Sequence, residues 1–135
     1  MALVEWKEDY SVSVSIFDDQ HKKLFEIINN LHEAMKKGAS NVVIPGILDE
    51  LYNYTQKHFT NEEELFTKYN YPEIEYQKNA HMTFLNKISE FKNDFESGKL
   101  GLSIEIISFL NDWLINHIKG ADKKYGKFFN DLGIK

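Results

Sequence analysis

A chain of 135 residues suffices for one hydrophobic core and is short for two, so a single domain over 1–135 is expected. The 42% apolar content is ordinary, but 2 Pro and 7 Gly leave little turn chemistry for a many-stranded sheet, which favours helices. A net charge of -5 disfavours nucleic acid as a partner, and zero cysteines exclude disulfides, thiolate zinc sites, iron–sulfur clusters and covalently attached haem, leaving nitrogen and oxygen to hold any metal.

The first residues, from Met1 to Asp9, lack a basic and an apolar region, and no later stretch is apolar enough to span a bilayer. A cytoplasmic location without membrane contact is therefore expected. Over the first 17 residues Val12 and Val14 alternate with Ser11, Ser13 and Ser15; a lone strand has no partner, so this segment is expected to be an extended arm packed on the rest. From Asp18 the period becomes helical, with His21, Leu24, Ile28, Leu31 and Met35 on one face and Gly38 as the stop.

A second helix is predicted from about Asn41 to Tyr69, with Ile44, Ile47, Leu48, Leu51, His58, Glu62, Leu65 and Tyr69 recurring at helical spacings and Pro45 confined to the first turn. Tyr71-Pro72 breaks the pattern. A third helix carries Ile74, Gln77, His81, Leu85, Ile88 and Phe95 and closes at Ser97-Gly98. Ser103 is the expected cap of a fourth helix with Ile106, Leu110, Trp113 and His117 inside and Gly120 at its end. Lys123 to Leu132 is expected to form a short extra helix. Short connections between four amphipathic helices predict an all-α, antiparallel up-down-up-down four-helix bundle with an N-terminal arm and a short C-terminal helix.

Four of the 5 histidines fall in the apolar stripes of four different helices. A lone histidine on such a face is more often a hydrogen-bonded core residue; four together point elsewhere. His58 and Glu62, spaced i and i+4, lie one turn apart on the same face, and Gln77 and His81 repeat the spacing. His117 and Asp122 are five apart, which on an α-helix requires the helix to end between them, a role expected of Gly120. His21 adds an imidazole from the first helix. Two carboxylates and four imidazoles directed inward are costly unless paired, and metal is the simplest partner. Nitrogen and oxygen ligands suit iron, manganese or zinc. The set is too large for one tetrahedral zinc and too small for two saturated octahedral ions, so two bridged metals with an open position fit best. His32, about 16 Å along the helix from His21, is out of reach of that centre.

Glu-x-x-His, required on two helices by ferritin-like di-iron proteins, is absent. So are His-Glu-x-x-His, a P-loop, a dinucleotide fingerprint and a nucleophile elbow.

Trp6, Asp19-Gln20-His21-Lys22, His58-Phe59-Thr60-Asn61-Glu62, Tyr71-Pro72, His81 and the run from Trp113 to Tyr125 together resemble a bacterial hemerythrin over nearly the whole chain. The resemblance implies two non-haem irons bridged by Glu62, Asp122 and a solvent oxygen (oxo or hydroxo). His21 and His58 would sit on the iron that keeps an open position for dioxygen, and His81 and His117 on the second. It also implies an oxygen pocket of Phe59, Trp113, Leu114 and Ile118, whose bulk would exclude water; the same residues could equally be plain core. Gln77 departs from the family's His-x-x-x-His, so the second iron would lose an imidazole and take the amide oxygen or a water instead. The implied function is reversible dioxygen binding as a carrier, store or delivery module, without enzyme activity. Alternatives are a di-iron peroxidase or oxidase, or an oxygen or redox sensor working through a separate partner.

Overall fold

The computed structural model describes residues 3–38, 43–98 and 101–135, apart from the side chain of Ile115. The expected start of the second helix at Asn41 lies outside these residues. Five α-helices occur among them: α1 (Ser15–Lys36), α2 (Val43–Lys68), α3 (Ile74–Glu96), α4 (Leu102–Trp113) and α5 (Lys123–Asp131), with a π-helical segment, Leu114–Asp122, joining α4 to α5. No strand occurs among the described residues. Helix α1 packs on α2, α2 on α3, α3 on α4, and α4 back on α1, closing an antiparallel four-helix bundle. No helix among the described residues is long and apolar enough to cross a membrane.

The arm is shorter than expected, because α1 begins at Ser15 and not at Asp18. Asp18 accepts hydrogen bonds from the Val12 amide (2.8 Å) and the Ser11 hydroxyl (2.6 Å), tying the arm to the first turn. Ser13, at φ 60°, bends the chain between them. The alternation of Val12 and Val14 survives as burial of both, and Glu8–Tyr10 form a 3₁₀ turn. Gly126 on α5 lies so close to the arm that a Cβ there would run into the Val12 carbonyl; only glycine fits.

Helix α1 stops at Gly38 (φ 68°) and α3 at Gly98 (φ 84°), both as expected. Asn70 (φ 54°) closes α2, where the Tyr71 amide donates to the Phe66 carbonyl at 2.9 Å. Ser103 is not a cap: α4 starts at Leu102 after a left-handed Gly101, which places Ser103 inside the first turn.

Two apolar clusters fill the bundle. The larger contains Leu24, Ile28, Leu31, Leu48, Leu51, Phe84, Ile88, Phe91, Ile106 and Leu110. The smaller contains Val12, Val14, Phe17, Phe66, Tyr71, Tyr125 and Phe129. Each buried large apolar side chain contributes roughly 1.5–3 kcal/mol. Of the expected α3 stripe Gln77, His81 and Ile88 are buried, whereas Leu85 and Phe95 are half-buried flanks and Phe84 and Phe91 take the inner positions instead. Between the clusters lies one layer of buried polar side chains from α1, α2, α3 and the π-helical segment: His21, His58, Glu62, Gln77, His81, His117 and Asp122.

Candidate metal centre

His21 follows Phe17 by one turn of α1, His58 and Glu62 share a face of α2, and Gln77 and His81 share a face of α3. The contribution of His117 and Asp122 is built differently from expectation. Gly120 does not end the helix and is not left-handed; the chain runs on through the π-helical segment Leu114–Asp122. Bonding from i to i+5 widens the turn, so residues five apart come onto one face, and His117 Nε2 stands 3.0 Å from Asp122 Oδ1. The five-residue spacing was itself the signal for such a turn.

The imidazoles meet in two pairs. His21 and His58 have ring centroids 4.7 Å apart, and His81 and His117 5.6 Å apart. Both carboxylates reach across the pairs. Glu62 Oε1 lies 3.4 Å from His58 Nε2 and 3.2 Å from His81 Nε2, and its Oε2 lies 3.8 Å from His21 Nε2. Asp122 Oδ2 is 3.4 Å from His21 Nε2, on the side opposite its contact with His117. Despite this closeness, His21 Nε2, His81 Nε2, His117 Nε2, Glu62 Oε1 and Asp122 Oδ2 are buried with no hydrogen-bond partner. Groups that crowd together without bonding one another are arranged around something they all bind. A cation fits: it would neutralise two carboxylates that are at most 1% exposed and would use lone pairs that are otherwise unsatisfied. His21, His58 and Glu62 alone already bring ligand atoms within 4.8 Å of one another.

The electrostatics follow the same pairing. Burial works against ionisation of Glu62, but His58 and His81 outweigh it and hold the carboxyl well below its usual range. Asp122 is likewise held low against burial by His117 and His21. Burial depresses His58, whereas at His21 it is outweighed by Asp122 and Glu62, and at His81 by Glu62 and Glu63, so both of these titrate above the ordinary value.

Three residues support the ligands: Gln20 and Tyr125 stand in the motifs quoted above without a role there, and Glu63 stands outside them. The Glu63 carboxylate lies 2.7 Å from His81 Nδ1, Gln20 Oε1 contacts His58 Nδ1, and the Tyr125 hydroxyl donates to Glu62 Oε2. Burial, with Glu62 and Asp122 beside it, pushes the Tyr125 phenol far above its usual range and keeps it a donor. Such contacts fix ring tautomers and carboxylate orientation. Glu63 gave no sequence signal, since its role depends on α3 lying alongside α2.

Phe59 stacks on His81 (3.8 Å, 2°), Trp113 stacks on His117 (4.4 Å, 20°), and Leu114 and Ile118 are fully buried. His32 is half-buried away from this layer, lining a separate depression with Leu3, Met35 and Ile104.

The hemerythrin HHE cation binding domain family matches residues 12–129. Bacteriohemerythrin of Stenotrophomonas maltophilia (strain R551-3) is 34% identical over 93% of this chain and 80% of that protein. Bacteriohemerythrin of Methylococcus capsulatus is 32% identical over 93% of this chain and 96% of that protein. A crystal structure of wild-type hemerythrin superimposes with a TM-score of 0.85 at 31% identity, covering 93% of this chain and 97% of that one. With the family matched over most of its length and the buried His and carboxylate layer in place, the chain belongs to the hemerythrin family of HHE cation-binding domains.

Proposed function

We propose that the protein is a non-haem di-iron protein that binds dioxygen reversibly. The supporting observation is the pairing of the imidazoles, His21 with His58 and His81 with His117, with Glu62 and Asp122 each touching a member of both pairs. Two ions, one per imidazole pair, would then share both carboxylates. A bound pair of ferrous ions would supply two electrons to dioxygen and recover them on release.

The chain's own residues set the conditions for that exchange. Glu62, oriented by the Tyr125 hydroxyl, and Asp122, carried on the π-helical turn, offer two carboxylates that compensate cationic charge in a buried site. Gln20 and Glu63 hold His58 and His81 by their Nδ1 atoms, leaving Nε2 to face the centre. Phe59, Trp113, Leu114 and Ile118 form the apolar wall that would exclude water and slow irreversible oxidation.

Loading with ferrous iron under anaerobic conditions, followed by metal analysis and visible spectroscopy through cycles of oxygen and argon, tests this. Two irons per chain and a spectral change that reverses under argon are expected. Iron below two per chain, or a change that does not reverse, would overturn the proposal; steady consumption of peroxide with a reductant would instead identify an enzyme.

A further inference from the structure

The Gln77 side of the centre differs from the rest. Gln77 is 1% exposed and stands one turn before His81. Its Nε2 donates to Asp122 Oδ1 at 3.1 Å, while its Oε1 is buried with no partner. The amide cannot turn over freely, because Oε1 would then face a carboxylate oxygen and the hydrogen bond would become a repulsion. The nitrogen end, occupied with Asp122, has no lone pair for a metal. Gln77 thus acts on Asp122, and its oxygen is left seeking a donor.

A cavity of about 280 Å³ reaches this same residue from the surface. Its buried wall is Tyr71, Gln77 and Ala121, and its sides are Tyr76, Asn116 and Gly120. The cavity can admit several waters, and the orphan Gln77 oxygen is a ready acceptor for one of them. Lys124 stands at the rim, with its ammonium 3.9 Å from Glu73. Gly120 lines this opening, and a Cβ there would meet nothing within 4 Å, so a larger side chain has room to stand at the mouth.

We propose that Gln77 is not a metal ligand but a positioning residue for Asp122, and that the metal held by His81 and His117 takes a small exogenous ligand, entering between α3 and the π-helical turn. That ligand is water at rest, hydrogen-bonded to Gln77 Oε1, and is exchangeable for a small anion. The proposal rests on the metal-centre reading above and adds a second opening, separate from the dioxygen position that the resemblance implies beside His21 and His58.

The test is azide titration of the ferric, iron-loaded protein by calorimetry and visible difference spectra, with iron measured on the same samples, alongside Gln77→His and Gly120→Leu. The unmodified protein is expected to bind one more azide per chain than Gln77→His, in which an added imidazole fills the position. Gly120→Leu should reach the same azide count but take up the additional azide several times more slowly, because it adds bulk at a position that lines the cavity mouth. Equal azide counts for the unmodified protein and Gln77→His would overturn the inference, as would a Gly120→Leu uptake rate equal to that of the unmodified protein. Two irons with equal counts would leave the di-iron proposal standing and remove only this one. Fewer than two irons with a difference of one azide would do the reverse, and no bound iron would remove both. Should Gln77→His fail to fold by circular dichroism, the Gly120→Leu rate decides.

Discussion

Replacing Tyr125 by Phe removes one hydroxyl from the interior and little else. The ring keeps its neighbours Phe17, Phe66 and Phe129, at centroid distances of 5.5, 5.2 and 5.7 Å. What is lost is the donor to Glu62 Oε2, which His21 Nε2, 3.8 Å away, stands too far off to replace. A hydrogen bond to a charged group contributes about 1.5–3 kcal/mol, and an orphaned buried acceptor costs about 1–3 kcal/mol; these describe the same loss and are not added. The metal-free variant should therefore be destabilised by about 2 kcal/mol, or roughly 6–10 °C in Tm for a chain of this length. With metal bound the loss should shrink, because the cation takes up part of the carboxylate's charge. Urea unfolding of the metal-free protein followed by far-UV circular dichroism measures this, as a lower midpoint at unchanged slope. A change within about 0.5 kcal/mol, the range of an ordinary surface substitution, would refute the assignment of Tyr125 as the donor that holds Glu62.

Glu63→Ala should weaken metal retention by about 10–100-fold, the usual effect of removing a carboxylate behind a ligating imidazole; competition against a chelator reads this, and unchanged retention would show that the contact with His81 is incidental. A dependence on pH of opposite sign is expected with and without metal. In the metal-free protein burial pulls His21 and His81 down but their carboxylate partners hold both above 6.5, so the stability they contribute is fully present below 6.5 and is lost as pH rises through the raised values. His58, held below 6.5 by burial, acts the other way, its contribution being lost as pH falls through the lowered value. The His58 window lies below 6.5 and does not oppose the other two above it, so the metal-free Tm should fall as pH rises through neutrality. Metal must displace those same protons, so metal affinity should rise over the same interval; a metal-free Tm that climbs with pH would count against the His21 and His81 pairings.

The sequence by itself determined the helical class, most of the inner face of α1, the Ile44, Leu48, Leu51, His58 and Glu62 stripe of α2, the stops at Gly38 and Gly98, and the set of inward histidines, because each of these is written in local periodicity or in one residue's backbone preference. The family resemblance was legible for a related reason, since its motifs are short helical spacings. Tertiary structure decided what local pattern cannot carry. The turn at His117 and Asp122 stays helical instead of breaking at Gly120 and runs on into α5, its i→i+5 bonding bringing residues five apart onto one face. The start of α1 at Ser15 depends on Asp18 reaching back to Ser11 and Val12. The partners Gln20, Glu63 and Tyr125, and the bond from Gln77 to Asp122 across 45 residues of chain, exist only because helices distant in sequence were packed side by side. Periodicity fixes which way a side chain points along its own helix, but which polar atom it meets is set by the neighbouring helix's register, and that is a property of packing alone.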